Sequence, residues 1–334
     1  MEIITSRSQP GLKRHEQVGG VGVHRSWMPG RSPAGWLAHI GATIPMHARL
    51  GRTSDICHAH TFACGIPPMI NRRRNPRPFV LTLHTSHFLM RAKRATWRNI
   101  FRRIIGSCDY LLATSGEIRD VALELCPHPR SEVMTNAVDT DRFAPSATPR
   151  SGGRRRLVVP RRLFPKNGVE YLVRAMPLIC EVIDAEARVV GDGPERDRLT
   201  ELAAELGVAE RVEFLGARSN QEMPALLNDA EVVVIPSLME ATSIAALEAM
   251  ACGVPVAASG VGGLPEIVDE SVGALFEPAD PGALATAVLG LLQLEDLREL
   301  GKEGRRRVEA NWSLRRMVER HIEIYSELMD EKKA

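Results

Sequence analysis

The sequence predicts an α/β protein made of two doubly wound parallel-sheet domains, and three observations predict it. The chain has 334 residues, enough for two ordinary cores. Short β-branched runs alternate with amphipathic helical stretches through its second half, as in a parallel sheet covered by helices on both faces. Charge divides the chain. Through residue 145 there are 20 Lys and Arg against 10 Asp and Glu, a net of +10; the remainder holds 23 against 31, a net of −8. Nine of the ten histidines also precede residue 130. A basic, His-rich half joined to an acidic half implies two units with different partners.

In the first half, residues 2–6, 55–58, 79–84 and 110–114 read as strands, and 88–105 as one basic helix. From 136 to about 154 the chain is rich in Pro, Ser, Thr and Gly and reads as a linker. The second half continues with a strand at 156–159, a basic loop at 161–168, and a helix at 169–180 with apolar spacing at Leu172, Val173, Met176 and Ile179. A strand at 187–190 ends at Gly191-Asp192-Gly193-Pro194, with Pro194 at a plausible first helical position, then a helix at 195–206 stopped by Gly207. Strands at 212–215, 231–236 and 254–258 enclose helices at 221–228 and 244–252, the last stopped by Gly253. A final helix at 314–329 has Ser313 as its N-cap. The expected domains are 1–145, 146–311, and a closing helix at 312–334.

No apolar run is long enough to predict a membrane-spanning helix, and the N-terminal residues lack the apolar core of a secretory signal. The six cysteines are scattered; Cys57 and Cys64 have no second pair, which argues against a zinc ribbon and for reduced, buried thiols in a cytoplasmic protein.

The chemistry concentrates in Glu240-Ala-Thr-Ser-Ile-Ala-Ala-Leu-Glu248, between a buried strand and a helix. In open α/β sheets ligands bind beyond the carboxyl ends of strands. Unpaired amides of Ala241, Thr242 and Ser243 would suit phosphate oxygens. Glu240 could accept from sugar hydroxyls and Glu248 from a ribose. Two Glu eight apart are ordinarily a solvated face, but this helix is otherwise apolar or small. Arg162 and Lys166 lie on a basic loop at another strand end, where they could neutralise a leaving diphosphate.

Together, RRLFPKNGVEYLVRA (161–175), VVGDGPERDRL (189–199), VEFLGA (212–217), IPSLMEATSIAALEAMACGVPVAAS (235–259) and VGGLPEIV (261–268) resemble the C-terminal domain of glycosyltransferase family 4. Upstream, DICHAH (55–60), LTLHTS (81–86) and NAVDTDRF (136–143) also resemble that family. The resemblance implies the GT-B fold, two Rossmann-like domains facing across a cleft. It implies transfer of a sugar, with retention, from a UDP- or GDP-sugar to a lipid-linked or envelope-glycan acceptor. Arg162 and Lys166 would hold the diphosphate, Glu248 the ribose, and Glu240 with the amides of Ala241, Thr242 and Ser243 the sugar. Gly191 would line the nucleotide-sugar site, residues 212–218 would frame the base, and His84 would stand near the reacting sugar. His58 and His60 match a structural feature, more packing than metal binding. Asp139-Thr-Asp141 belongs to the linker motif, so no metal and no cofactor beyond the sugar nucleotide is expected.

The sequence departs from the family pattern in three places. Asn167 stands where the family has Lys before Gly168, and Ala241 where it has Gly. Residues 1–7 resemble the family's second strand, so the first strand, Gly-rich loop and helix are expected to be missing and the N-domain incomplete. This leaves open an upstream start, a remodelled domain, or a weakly catalytic donor-binding protein; a sugar-nucleotide epimerase or a phosphorylase of the same fold is the further alternative. Residues 88–105, with six Lys or Arg and no acid, could also rest on an anionic bilayer, a peripheral contact at the inner face of the plasma membrane. The charge is not accompanied by a nucleic-acid-binding module.

Overall fold

The computed structural model describes every residue except Ser8, Pro10, Pro29, Arg31, Thr85, 147–152 and Ala334. Part of the predicted linker and Thr85 of the LTLHTS run therefore lie outside the described residues. The chain forms two compact units, Met1–Met134 with His321–Ala334, and Thr135–Arg320.

The first unit runs β1 (Glu2–Arg7), β2 (His15–Val18), β3 (Val21–Trp27), α1 (Pro33–Leu50), β4 (Cys57–His60), α2 (Ile66–Asn71), β5 (Phe79–Leu83), α3 (Ser86–Ala92), α4 (Ala95–Ile105), β6 (Tyr110–Ala113), α5 (Gly116–Leu125) and β7 (Ser131–Val133). Its strands make two sheets. One has the order β1-β3-β2, with β1 parallel and β2 antiparallel to β3; the other is the all-parallel β4-β5-β6-β7. The β2–β3 hairpin turns on Gly19 and Gly20, both at positive φ, which a two-residue turn matching strand twist requires. β5 and β6 are buried along their length, so they read as continuous apolar runs.

The basic stretch is not one helix. Arg94 is extended (φ −98°, ψ 124°) and separates α3 from α4. Phe101, Ile104 and Ile105 of α4 are buried, and Phe101 packs against Phe62, Phe88 and Trp97 with ring centroids 5.0, 4.9 and 5.7 Å away. The apolar stripe is thus spent on the core, leaving Arg94, Arg98, Ile100, Arg102 and Arg103 outside.

The second unit runs β8 (Arg155–Val159), α6 (Val169–Cys180), β9 (Ala185–Val190), α7 (Arg196–Glu205), β10 (Val212–Gly216), α8 (Met223–Asn228), β11 (Val232–Ile235), α9 (Ile244–Ala251), β12 (Val256–Ser259), β13 (Gly273–Phe276), α10 (Pro281–Leu292) and α11 (Leu297–Asn311). Pro194 falls in the turn before α7 rather than inside it. Its sheet is parallel with the order β10-β9-β8-β11-β12-β13. Alternate residues point to opposite faces. Leu157, Val159, Val232 and Val234 join α6, α7 and α10 in one core, while Val158, Val233 and Ile235 join α8 and α9 in the other. Both faces are covered, as a doubly wound sheet requires.

The division between units differs from the expected 145/146. Residues 135–146 pack on the second unit: Val138 and Phe143 are buried in its core, and Arg305 donates to the carbonyls of Thr140 and Phe143. α12 (Leu314–Lys333) also begins there, with Leu314 N–H donating to Val138 at 2.8 Å and Ser313 capping Arg316. From His321 onward this helix belongs to the first unit, where Ile324 and Leu328 bury against Val80, Tyr110 and Leu112. All six cysteines are free. Cys108 and Cys252 are buried, but Cys64 is exposed, so the expectation of buried thiols fails there.

Candidate active site

The sheet of the second unit reverses direction of build at β8. The chain adds β9 and β10 on one side, then crosses to add β11 and its successors on the other. The loops after β8 and β11 therefore lead to helices on opposite faces of the sheet, and the carboxyl ends at such a switch point are where these sheets bind ligands.

Local interactions shape the loop after β8. Leu163 is fully buried and its N–H donates to Asp192 at 3.0 Å. Asn167, buried, donates from Nδ2 to the Arg162 carbonyl at 2.7 Å, which closes the turn before Gly168. Leu238 N–H donates to the Lys166 carbonyl at 2.9 Å and ties this loop to the one after β11. In that second loop Ser259 Oγ donates to the Ser237 carbonyl at 2.5 Å, and Ser237 Oγ donates to Glu240 Oε2 at 3.4 Å. Gly262 presses on Glu240 from beyond β12: a Cβ there would overlap the Glu240 carbonyl. Gly191 does the same to Arg161 after β9, and its N–H donates to Gly216 at 2.9 Å. Any side chain at either position would push these backbones apart.

Glu240 Oε2 lies 2.6 Å from Arg161 Nη2, and the same guanidinium donates to Ser243 Oγ at 2.8 Å. Ser243 is the N-cap of α9, accepting from Ala246 N–H at 3.3 Å. The helix starts at Ile244, so the amides of Ala241, Thr242 and Ser243 precede it instead of forming its first turn. Thr242 Oγ1 accepts from Asn136 Nδ2 at 3.0 Å. Glu248, one turn into α9, is half-buried, and burial pushes its carboxyl up to about 7. The cause is desolvation, which disfavours the charged form. Arg162 and Lys166 are exposed, and the Arg162 guanidinium lies 5.6 Å from the centre of the Phe164 ring.

His84 belongs to the first unit and directly follows β5. His60 Nδ1 is 2.7 Å from His84 Nε2, and the rings stack. His58 stacks on His60 at 4.3 Å and hydrogen-bonds Tyr325 Oη at 2.5 Å and Thr82 Oγ1 at 2.6 Å. Burial and the neighbouring imidazoles lower His58 to about 3 and His84 to about 4, so both are neutral at ordinary pH. Among the described residues no group of three or more His, Cys, Asp or Glu side chains is placed to hold a metal ion. Asp139 Oδ1 instead accepts from the N–H groups of Asp141 and Arg142, both at 3.1 Å.

The structure thus gathers Glu240, Ala241, Thr242, Ser243, Glu248, Arg162, Lys166 and Gly191 at one sheet end, and His84 in a separate imidazole cluster. Sequence reasoning included Arg161 in the basic loop but assigned the diphosphate to Arg162 and Lys166, and it gave no role to Gly262 or Asn136. All three lie in runs that resemble the family, but residue types alone do not mark which side chain of such a run turns inward.

Residues 1–142 match the family described as Glycosyltransferase Family 4, and residues 141–307 that described as Glycosyl transferases group 1. The chain belongs to glycosyltransferase family 4. This glycosyltransferase is 34% identical over 310 residues to the D-inositol 3-phosphate glycosyltransferase of Salinispora arenicola, covering 82% of this chain and 68% of that one. It is 34% identical over 276 residues to a GDP-mannose-dependent alpha-(1-6)-phosphatidylinositol monomannoside mannosyltransferase of Mycolicibacterium smegmatis, covering 76% and 72%. The solved sucrose-phosphate synthase of Thermosynechococcus elongatus matches with a TM-score of 0.84, covering 99% of this chain and 89% of that one at 24% identity. The expected fold class, α/β with parallel sheets of the GT-B kind, is therefore the one found.

Proposed function

We propose that this glycosyltransferase moves a hexose, with retention, from a nucleoside-diphosphate sugar to a lipid-linked or envelope-glycan acceptor. What carries the reading is the convergence of Glu240, Ser243, Glu248 and the loop after β8 at the switch point of the second unit's sheet. Glu240 and the pre-helical amides would bind the sugar, Glu248 the ribose, and Arg162 and Lys166 the diphosphate. Residues 212–218 would border the base. His84, neutral, would offer one ring nitrogen to a sugar hydroxyl. Departure of the diphosphate would draw on Arg, Lys and the N-terminus of α9 without a metal. The relatives' names favour GDP-mannose as donor and an inositol-containing acceptor.

The test is to incubate the protein with UDP- and GDP-hexoses and phosphatidylinositol-type acceptors, and to follow transfer and slow donor hydrolysis, with and without EDTA. Activity with one donor that survives EDTA and disappears in Glu240→Ala supports the reading. Full activity in Glu240→Ala removes the site from the reaction. A second reading, donor binding without turnover, is favoured by one observation: β1 and β4 each stand at the end of their own sheet, so the first unit's strands are divided. Calorimetry with nucleotide binding but no transfer would select it.

No helix of the described residues is long and apolar enough to cross a membrane. The basic face of α4 supports a cytoplasmic enzyme that touches an anionic bilayer electrostatically, since its apolar stripe is already buried. Salt-sensitive co-sedimentation with phosphatidylserine vesicles, lost in Arg98→Glu/Arg103→Glu, tests that contact.

A further inference from the structure

The loop after β8 carries three cations, and they differ in where they point. Arg162 and Lys166 are exposed, whereas the Arg161 side chain is only 12% exposed and turns inward. Its guanidinium sits against Ser243, the cap of α9, and among the described residues it is matched by one carboxylate, Glu240. A cation at a helix N-terminus is opposed by the helix dipole, because both present positive charge. The first two amides of α9 add unpaired donors at the same point. Among the described residues, the buried Nε–H of Arg161 meets no hydrogen-bond partner. One carboxylate therefore balances a guanidinium, a helix N-terminus and an orphaned donor. The local surplus is positive and the missing partner is an anion with several acceptor oxygens.

We infer that Arg161 is a diphosphate-binding residue, and that its ion pair with Glu240 is a resting contact which the donor exchanges on binding. The inference rests on the reading that this site takes a nucleoside-diphosphate sugar. In the resting site the pair neutralises both charges but leaves Nε–H of Arg161 without a partner. When the donor enters, phosphate oxygens take the guanidinium, including Nε–H, in the planar fork that suits them. Glu240 is released to accept from sugar hydroxyls. A donor with both parts satisfies both partners, whereas a free nucleotide supplies only the phosphate half and leaves Glu240 to compete for Arg161. The pair would thereby favour the intact sugar nucleotide over the bare diphosphate.

The experiment measures affinity by calorimetry for UDP, GDP, UMP and GMP, and for the matching hexose donors, in the full chain and in R161Q, R161K and E240Q. If the unaltered protein binds none of these, the donor-site reading itself fails. If it binds, R161Q is expected to weaken the diphosphate at least tenfold and the monophosphate less than threefold, with R161K intermediate. E240Q is expected to tighten the bare diphosphate severalfold, because the competitor is gone, while weakening the sugar donor. Diphosphate affinity unchanged in R161Q would overturn the assignment. E240Q weakening the diphosphate as R161Q does would overturn the exchange. If melting curves show that R161Q does not fold, the R161Q/E240Q double variant, which leaves no unpaired charge, is measured against E240Q alone; equal diphosphate affinity in those two proteins overturns the assignment.

Discussion

The six strands of the second unit form one continuous parallel sheet, whereas the described strands of the first are divided between a three-stranded and a four-stranded sheet. In the second unit β8 is flanked on both sides and covered on both faces, and its carboxyl end is the switch point of the sheet. In the first unit β1 ends its sheet and is half-exposed along its length, with Ile3 at 41%, while β5 is wholly buried. The contrast explains why the charged site groups converge in one unit. A switch point needs strands on both sides, and the loops it separates hold side chains against a rigid base. The first unit offers instead a cluster of neutral imidazoles beside a strand end. Burial makes them poor cations but suitable hydrogen-bonding groups.

The contrast can be broken most directly at Glu240. Glu240→Gln is expected to lower transfer by about 10²-fold or more, the loss typical of a group that stabilises a reacting sugar, and to lower the melting temperature as well, because the nearly buried Arg161 guanidinium loses its counter-charge; steady-state kinetics and thermal melting check it. Core truncations should separate the two sheets. Ile235→Ala, fully buried in β11, is expected to cost about 3 kcal/mol, and Ile3→Ala in β1 less than about 0.5 kcal/mol, read from urea unfolding.

pH should sharpen the contrast by acting on the two units with opposite sign. His58 and His84 stay neutral in the fold down to about 3 and 4, whereas unfolded His takes up its proton near 6.5. The unfolded chain then binds more protons, so the first unit loses stability as pH falls below 6.5. Glu248 holds its proton to about 7 in the fold against 4.5 unfolded, so the second unit loses stability as pH rises from 4.5 through 7. Each effect is on the order of 2 kcal/mol at most after allowing for partial exposure. Peptide-resolved hydrogen exchange at pH 5 and pH 8 would show it, and Glu248→Gln should abolish the alkaline branch. The smallest effect concerns the ligand: a ribose is best held by ionised Glu248, so nucleotide affinity should rise severalfold between pH 6 and pH 8 and become flat in Glu248→Gln.

Much of the second unit was legible from residues alone. A strand buried on both faces must be apolar throughout, and a helix between two such strands must repeat every three to four residues, so β11 and α6 left little choice. The first unit was less legible because its signals are short or shared. Val18-Gly19-Gly20-Val21 is a hairpin signal that residue types alone could have revealed, yet the flanking strands are mostly polar. The basic stretch reads as one helix because every residue in it tolerates a helix; the fold breaks it at Arg94 and packs Phe88 of one piece on Phe101 of the other.

By itself the sequence determined the α/β alternation, the charge division, and the residue types from which a nucleotide-sugar site can be built, since periodicity and chemical type are properties of the chain. Only the tertiary structure decided that Asn167 braces the loop from inside, that Arg161 and not its neighbour turns onto Glu240, and that residues 135–146 belong to the second unit. Those outcomes depend on which groups meet across loops far apart in sequence, where a single close approach, such as Gly262 on Glu240, selects one side-chain arrangement from several that the sequence permits.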